Sequence, residues 1–390
     1  MRVCVVAEYY PRRRDPVLGV WAHRQALAAR EAGAEVRVLA LERPVPPAGA
    51  IRSPARLRTA IGDLARQPRR DVLDGIEVEY VRFIAPPRKG RYAGWDRWAR
   101  GPLERALAHL HRSWPLDVVH AHYALPAGAA AARFTEREGL PLLVSLHGGD
   151  LLGPELRGTV ARDKVAGVLL ASAGVLCNSQ WTLEQAAVLS GSRERMRVVH
   201  LGAEAPTELP LKRPEPTIAT LGHVVGRKRH HDVLLALAEL PGTRWVVIGD
   251  GPERAGLERL TAEMHLTRRV EWKGQIPPDA ALRELATCHV MALPSVDEAF
   301  GVAYVEALAC GVPPLGCAGE GGPEEIAAAG PGITLVPPRD PHALAETLRR
   351  VLDPPELERL AVVGRRTAAD HFSWEACGQA TVAAYREAAA

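Results

Sequence analysis

Short apolar runs alternate with longer amphipathic segments in the first half of the chain. Five such runs are short and apolar enough to be buried strands, and they lie at 2–7, 35–41, 117–121, 140–146 and 174–179. Ala- and Leu-rich helical segments lie between several of them, and the one at 21–33 ends on a glycine that can cap a helix. This alternation predicts βαβ units and a parallel sheet. Residues 42–75 break the rhythm and are expected to form a loop or a surface helix.

The alternation stops at a Pro-rich polar segment, 205–216, which we interpret as a linker, and then begins again. Strands are predicted at 216–222, 244–250, 269–274 and 289–295, and helices at 231–240, 252–265 and 277–288. The fold class is therefore α/β, with two Rossmann-like, doubly wound parallel-sheet domains at 1–205 and 206–370. Ligands of such sheets bind beyond the carboxyl ends of the strands, so we expect the site in a cleft between two facing domains.

Composition narrows the function classes. The net charge is only +3, which argues against a dedicated nucleic-acid-binding protein. The six cysteines form no CxxC pair, and reduced thiols in a cytoplasmic protein are expected. No His/Cys cluster has metal-ligand spacing, so no metal is expected. The start of the chain does not look like a signal peptide, and no apolar run approaches the ~20 residues that span a bilayer.

Arginines cluster locally between Arg52 and Arg70. This stretch is either a solvated loop or a patch that meets anionic lipid or a phosphorylated acceptor. Any membrane contact would be peripheral.

The segment 297–313 carries two glutamates eight positions apart, Glu298 and Glu306. The pattern places Glu298 in a loop after a strand and Glu306 inside the helix that begins near Gly301 or Val302. The backbone N–H groups at such a helix start lack internal partners and can bind an anion or a hydroxyl oxygen. Alternatively, Glu298 only assists the helix N-terminus and Glu306 is a solvated helix residue.

The segment 221–234 combines glycine with positive charge, in Gly222, Gly226, Arg227, Lys228 and Arg229. A diphosphate needs fixed cations and close backbone donors, although an exposed basic loop would have the same composition. The GDGP at 249–252 is not GxGxxG, so a nicotinamide site is poorly supported.

Two turns in the predicted first domain also contain candidate ligand-binding residues. His147 and Asp150 flank two glycines directly after a strand, where a histidine either meets a ligand or has a structural role. Gly19 forms a turn just before the first helix, which is another place where a phosphate can bind.

The order of these motifs resembles glycosyltransferase family 4, whose members are retaining enzymes of the two-domain GT-B fold. The resemblance covers essentially the whole chain and is strongest from 217 to 326. It depends on HGGD at 147–150, the GxxxxxK run at 222–228, VVIGDGPER at 246–254, EAFGVAYVE at 298–306 and GEGGPEEI at 319–326. It also implies that residues 371–390 form a helix that crosses back to the first domain.

The resemblance implies roles at matching positions. Glu306 would bind ribose hydroxyls, Glu298 hydroxyls of the donor sugar, and Lys228 the departing diphosphate. Implied donor-binding residues are Gly19, His223, Arg227, Lys228, Gln275, Ile276, Glu298, Phe300, Gly301, Val302 and Glu306. The implied catalytic residues are His147, Lys228 and Glu298. Asp150 would orient either the acceptor or its own loop.

One departure from the family pattern concerns the arginine that usually follows the first glycine, where this chain has His223. Histidine lacks the bidentate fork of arginine. Either Arg227 or Arg229 takes its place in space, or His223 donates one hydrogen bond and Lys228 carries most of the charge.

The implied function is retaining transfer of a sugar from a nucleotide sugar, a UDP- or GDP-sugar, to a glycan or lipid-linked acceptor, with no cofactor or metal. Cell-envelope or exopolysaccharide synthesis at the inner face of the membrane is expected. The alternatives are a non-catalytic sugar-nucleotide-binding protein of the same fold, a dinucleotide-dependent oxidoreductase, and a GT-B phosphorylase or epimerase.

Overall fold

The computed structural model of the chain describes residues 1–46, 49–50, 53–153 and 158–390. Arg52, in the arginine-rich stretch, lies outside the described residues. The chain divides into two compact units: Met1–His200 together with Cys377–Ala390, and Leu201–Ala376. The expected boundaries at 205/206 and 370/371 differ from these divisions by five and six residues.

The described residues of the first unit form an eight-stranded sheet. Its strands are β1 (Arg2–Ala7), β2 (Glu35–Glu42), β3 (Arg70–Leu73), β4 (Ile76–Arg82), β5 (Val118–His122), β6 (Leu142–Leu146), β7 (Gly174–Cys177) and β8 (Met196–Val198). Their order is β3-β4-β2-β1-β5-β6-β7-β8, and every pairing is parallel except β3 with β4 at the edge. The chain therefore reverses its direction of winding between β1 and β5, where ligands of such sheets bind.

Helices cover this sheet, and apolar residues of α3, α4 and α6 complete its main core. The helices are α1 (Val20–Glu31), α2 (Pro54–Arg66), α3 (Trp95–Ser113), α4 (Ala129–Glu138), α5 (Gly149–Leu152), α6 (Thr159–Ala171) and α7 (Gln180–Ser190). Strands β5 and β6 are buried along their whole length, as expected for parallel strands that are covered on both faces.

The second unit, which is described throughout, has a six-stranded parallel sheet. Its strands are β9 (Thr217–Leu221), β10 (Arg244–Ile248), β11 (Val270–Gly274), β12 (Val290–Ala292), β13 (Pro314–Cys317) and β14 (Thr334–Val336). The order β11-β10-β9-β12-β13-β14 is the doubly wound arrangement, with its switch point between β9 and β12. The helices are α8 (His230–Ala238), α9 (Arg254–Glu263), α10 (Pro278–Ala286), α11 (Val302–Ala309), α12 (Gly321–Ala329), α13 (Pro341–Val351) and α14 (Pro354–His371). The last helix, α15 (Trp374–Ala389), follows it.

The structure confirms the two α/β sheets and the strands and helices that the hydrophobic pattern predicted. The irregular region 42–75 does contain a surface helix, α2, but the hairpin of β3 and β4 was not predicted. In β4, Ile76 and Val78 face the core while Glu77 and Glu79 are exposed or half-buried on the other face. That strand therefore alternates in polarity, and it lacks the continuous apolar run by which the other strands were recognised.

Residues Cys377–Ala390 pack within the first unit through a close helix contact, side-chain hydrogen bonds and an ion pair of Glu387 with Arg197. Gly378 of α15 lies so close to α1 that a Cβ atom there would be 2.2 Å from the carbonyl oxygen of Ala28. The Gln25 side-chain amide donates to Thr381 Oγ1 at 3.1 Å, and the Tyr385 hydroxyl is hydrogen-bonded to His120 Nδ1 at 2.7 Å. Burial lowers the pKa of His120 to about 3, so the imidazole is neutral at pH 7.

We expect Gly378→Ala to destabilise the first unit by about 1–3 kcal/mol, because the added methyl overpacks the contact of α15 with α1. Differential scanning calorimetry measures the effect as a lower melting temperature (Tm). Gly167→Ala is the matched control, since Gly167 lies in α6 with open space around it and alanine favours the helix. Equal Tm values for the two variants would contradict this account of the helix contact.

Candidate functional site

The switch point of the second sheet brings together Lys228, from the loop after β9, and Glu298, from the loop after β12. The Lys228 ammonium donates a hydrogen bond to Glu298 Oε2, and each residue is only 8% exposed. Arg227 Nη1 lies 3.4 Å from the same carboxylate oxygen. Two of the residues predicted to bind the donor are therefore partners in one buried ion pair.

The electrostatics of this pair keep the carboxylate charged. Burial alone would raise the pKa of Glu298, but the nearby Lys228 and Arg227 cations outweigh burial and lower it below its ordinary value of 4.5. Burial lowers the pKa of the Lys228 ammonium, and the Glu298 carboxylate opposes that shift. A buried charge of this kind is tolerated because it is paired and hydrogen-bonded.

The backbone of Glu298 is fastened to the loop that begins α12. Its N–H donates to Glu320 Oε2 at 2.9 Å, and its carbonyl accepts from the Gly322 N–H at 3.1 Å. A Cβ atom on Gly322 would lie 2.1 Å from the carbonyl oxygen of Phe300, so a side chain there would force the two loops apart. The segment 319–326, singled out in the sequence, thus holds the carboxylate loop in place.

Helix α11 starts at Val302, as the sequence predicted, and Glu306 lies half-buried one turn further along. Gly301 adopts a φ of +85°, and a side chain on it would meet the ring of Tyr304 at 2.4 Å. Phe300 is buried and packs against Phe372 with ring centres 5.9 Å apart. The glycine therefore permits both the turn and the close packing at the helix start.

Arg227, rather than Arg229, is the arginine that reaches Glu298. Arg229 makes two hydrogen bonds to the Asp232 carboxylate, at 2.8 and 2.7 Å, and so is turned toward the start of α8. His223 is exposed in the loop after β9. Arg227 is therefore the arginine that lies beside Glu298, and its substitution for the missing family arginine stays a prediction.

Gln275 and Ile276 follow β11, at the same carboxyl edge of the sheet as Lys228 and Glu298. Gln275 is exposed and Ile276 is half-buried. Their position at the edge agrees with a role toward a ligand bound there, and that role stays a prediction.

The sequence did not reveal why glycines occur at 249 and 251. A Cβ atom on Gly249 would lie 1.9 Å from the Gly222 carbonyl oxygen, and one on Gly251 would lie 2.3 Å from the Val224 carbonyl oxygen. The loop after β10 is thus pressed directly against the loop that carries Lys228. The lack of a GxGxxG pattern argued against a nicotinamide site. The spacing of the glycines did not predict that Gly249 and Gly251 contact the backbone of the loop that carries Lys228.

In the first unit, Asp150 organises the loop that bears His147. Its carboxylate accepts hydrogen bonds from the backbone N–H groups of His147 and Ala124, both at 2.9 Å. Burial raises the pKa of Asp150 to about 7. Two roles were predicted for Asp150, and these contacts provide the geometry for one of them, which is to orient its own loop.

His147 is stacked on His122, a residue that the sequence did not single out. The rings are 5.1 Å apart and almost parallel, and His147 Nε2 is hydrogen-bonded to His122 Nδ1 at 2.9 Å. Burial lowers the pKa of His147 to about 3, so it is neutral at pH 7. The available signal in the sequence was the HxH spacing of His120 and His122 at the end of β5. This spacing places both side chains on the same face of that strand.

Gly19 lies at the start of α1 with a φ of +67°. A Cβ atom on it would lie 2.1 Å from the Tyr9 carbonyl carbon and oxygen, so the turn is packed against the loop after β1. A role toward phosphate stays a prediction.

No three His, Cys, Asp or Glu side chains in the described ranges are grouped so as to hold a metal ion, and none of the helices described is both long and apolar enough to cross a membrane. The six cysteines are buried and unpaired with one another.

Comparison with known proteins decides the family. The profile described as Glycosyltransferase Family 4 matches residues 18–205, and the one described as Glycosyl transferases group 1 matches residues 203–366. A 2-deoxystreptamine glucosyltransferase of Streptomyces kanamyceticus is 30% identical, over 77% of this chain and 85% of the relative. The chain belongs to glycosyltransferase family 4. It is an enzyme of the hexosyltransferase class.

Other members of the family and its fold are similar over most of the chain. A D-inositol 3-phosphate glycosyltransferase of Mycobacterium marinum is 28% identical, over 95% of this chain and 81% of the relative. Sucrose-phosphate synthase of Thermosynechococcus elongatus has a TM-score of 0.79 at 20% identity, covering 99% of this chain and 98% of the other. HepE of Anabaena, solved with UDP and glucose, has a TM-score of 0.73 at 19% identity and covers 98% of each chain. The GT-B fold predicted for this glycosyltransferase is confirmed.

We expect Lys228→Met to destabilise the second unit by about 3 kcal/mol, because it leaves Glu298 buried without its main partner. The double variant Lys228→Met/Glu298→Gln should regain most of the loss, since the uncompensated charge is gone. Urea unfolding of the three proteins at pH 7 measures these differences.

The same pair has a predictable pH dependence. Because the folded-state pKa of Glu298 is lowered, its contribution to the free energy of unfolding is present above pH 4.5 and is lost as the pH falls through the lowered value.

The control for the urea experiment is Arg359→Met, which breaks an exposed pair with Glu356 and should change stability little. A double variant as unstable as the single one would contradict the ion-pair account.

Proposed function

We propose that this glycosyltransferase moves a hexose from a UDP- or GDP-sugar to a hydroxyl of a glycan or lipid-linked acceptor, with retention of anomeric configuration and without a metal. The observation that carries the proposal is the buried Lys228–Glu298 pair at the switch point of the second sheet. Solved HepE, with UDP and glucose, supports a nucleotide-sugar donor. A relative named for teichuronic acid biosynthesis, 26% identical over 90% of this chain, supports cell-envelope or polysaccharide synthesis.

The donor would bind along the carboxyl edge of the second sheet. Lys228 would neutralise the diphosphate as it departs, and Glu298, oriented by Lys228, would accept hydrogen bonds from hydroxyls of the sugar. Glu306 would accept from the two adjacent ribose hydroxyls. The backbone at Phe300–Val302 would hold the sugar and part of the diphosphate, as donors at a helix start can.

The ion pair also supports a particular mechanism. A carboxylate with a lowered pKa and a cation at hydrogen-bond distance is a weak nucleophile and a weak base, so Glu298 is poorly suited to form a covalent glycosyl intermediate. We therefore favour front-face displacement. The bond from the anomeric carbon to the phosphate oxygen breaks, the acceptor oxygen bonds to that carbon on the same face, and the acceptor proton passes to the leaving phosphate.

We expect a UDP- or GDP-sugar to raise the Tm of the wild-type enzyme, because a ligand that binds only the folded state stabilises it. Glu306→Gln should weaken nucleotide affinity about 10–100-fold, as expected for lost charge-assisted hydrogen bonds. Titration calorimetry with UDP and GDP measures this loss.

The matched control is Glu263→Gln, in the exposed part of α9, which should bind the nucleotide like the wild type. NMR of the first product formed from an α-linked donor tests retention. A flat response to all nucleotide sugars would reject the donor, and a β-linked product would reject retention.

Helix α2 has the features of a segment that contacts a membrane surface. None of its residues is buried, and Leu57, Ala60, Ile61 and Leu64 follow the i, i+3, i+4, i+7 spacing of an apolar face, with Ile61 53% exposed. Exposed arginines lie on the same helix at 56, 58 and 66. An arginine-rich amphipathic helix suits a surface of anionic lipid. We therefore propose that the enzyme is cytoplasmic and makes peripheral contact with the inner face of the membrane.

We expect the protein to sediment with vesicles that contain phosphatidylglycerol, and less so as salt increases, but not with pure phosphatidylcholine vesicles. Ile61→Glu should reduce that binding several-fold, because it places a negative charge in the apolar face. Val188→Glu is the control, since Val188 is 78% exposed on a different helix. Equal binding to both kinds of vesicle would refute the proposed contact.

A further inference from the structure

The hydrogen bond between His122 and His147 joins two imidazoles at the carboxyl edge of the first sheet. His122 is the last residue of β5 and is 1% exposed, and His147 is the first residue after β6, the neighbouring strand. The Nδ1 atom of His122 lies 2.9 Å from Nε2 of His147, and the ring planes are 7° apart. Two paired strands therefore hold these rings, here called the histidine pair, in a fixed geometry.

A third histidine, His120, supports the pair by packing. It lies two residues before His122 on the same face of β5, and the two ring centres are 4.7 Å apart. Its Nδ1 is hydrogen-bonded to the Tyr385 hydroxyl at 2.7 Å and its Nε2 to Ser145 Oγ at 2.8 Å. Because both nitrogens of His120 are occupied, it fixes the ring of His122 without taking part in the hydrogen bonding of the pair.

Each ring of the pair has one outer nitrogen, which is Nε2 in His122 and Nδ1 in His147. Both atoms are shielded from water and lack a hydrogen-bond partner among the residues that the structure describes. Burial lowers the pKa of His147 to about 3 and that of His122 well below its ordinary value, so both rings are neutral at pH 7. An unpaired polar atom of this kind costs about 1–3 kcal/mol, which a ligand atom at His147 Nδ1 would offset.

The shared hydrogen bond couples the two outer nitrogens. A neutral imidazole carries one N–H and one bare nitrogen, so the ring that donates within the pair has a bare outer nitrogen, and the ring that accepts has an outer N–H. If His122 Nδ1 donates, His147 Nδ1 carries a hydrogen, whereas if His147 Nε2 donates, His147 Nδ1 is bare. When the shared hydrogen crosses between the rings, one outer nitrogen gains a proton and the other loses one, so the charge of the pair is unchanged.

We propose that His122 is a positioning residue for sugar transfer, because the nitrogen on which it carries its hydrogen decides whether His147 Nδ1 donates to a substrate hydroxyl or accepts from it. A hydroxyl can do either, so a nitrogen that reverses its role bonds to it in both orientations without a buried charge. The contact of His147 with substrate rests on the proposed function. The coupling of the two rings depends on the geometry of the pair alone.

Nitrogen-15 NMR of the ring nitrogens tests the coupling in the wild-type protein at pH 7. We expect His122 and His147 to have the same tautomer, with the hydrogen on Nδ1 in both or on Nε2 in both, or the same ratio of the two tautomers. His122→Leu removes the partner and should shift the tautomer ratio of His147 at least threefold. His122→Asn should shift it less, because its amide can donate or accept near the position of Nδ1. The signals of His120, which is held by Tyr385 and Ser145, are the internal reference.

Kinetics and thermal stability separate positioning from a purely structural role. With an active donor, His122→Leu should lower kcat about tenfold, as expected for a misoriented imidazole that has lost one hydrogen bond, while Tm changes little because an apolar side chain of similar size fills the space. His122→Asn should restore most of the rate. His111→Leu is the control variant, since His111 accepts from the Leu116 N–H before the start of β5 and should leave kcat unchanged.

Three results would overturn the proposal. They are different tautomers in the two rings, unchanged His147 signals in His122→Leu, and a wild-type kcat in that variant. If His122→Asn is as slow as His122→Leu, packing alone explains the conserved rate of the wild type, and the positioning role is also rejected. A shared tautomer in a wild-type protein that turns over no nucleotide sugar would reject the proposed function and uphold the coupled pair.

Discussion

The candidate donor site depends on one buried interaction, the hydrogen-bonded ion pair of Lys228 and Glu298. Neither charge would be stable alone at 8% exposure, because desolvation penalises an unpaired ion. The pair therefore fixes the loops after β9 and β12 relative to each other, and the contacts of Glu298 with Glu320 and Gly322 extend this to the loop before α12. A cation and a carboxylate thus hold each other in fixed positions, which is the preorganisation that electrostatic catalysis requires.

Both units carry their candidate chemistry at the same topological position. In each sheet the direction of winding reverses beside the first strand, between β1 and β5 and between β9 and β12. In doubly wound sheets, ligands bind at such a point, in the crevice outside the carboxyl ends of the strands. At the carboxyl edge of the second sheet lie the charged side chains of Arg227, Lys228 and Glu298. At the corresponding edge of the first sheet lie aromatic rings that contact one another. The two carboxyl edges therefore differ in chemical character, one charged and the other aromatic.

Much of the fold could be predicted because parallel strands buried on both faces leave continuous apolar runs, as in β1 and β6. The hairpin of β3 and β4 was missed because its exposed face interrupts that signal. Motif order predicted the loops of Lys228, Glu298 and His147, since strand ends mark them. Spacing could not show that Lys228 and Glu298 pair, that Arg227 rather than Arg229 joins them, or that His122 stacks on His147. These relations join residues far apart in the chain and arise only from packing.

The glycine contacts of the second unit limit how this enzyme can diversify. Because Gly249 and Gly251 press on the backbone of Gly222 and Val224, the path of the loop that holds Lys228 is nearly fixed. Insertions or larger residues there would displace the cation together with the loop. For the donor site proposed above, a change of donor preference, in nature or in protein engineering, is therefore easier through exposed side chains such as His223 and Gln275 than through a new loop conformation.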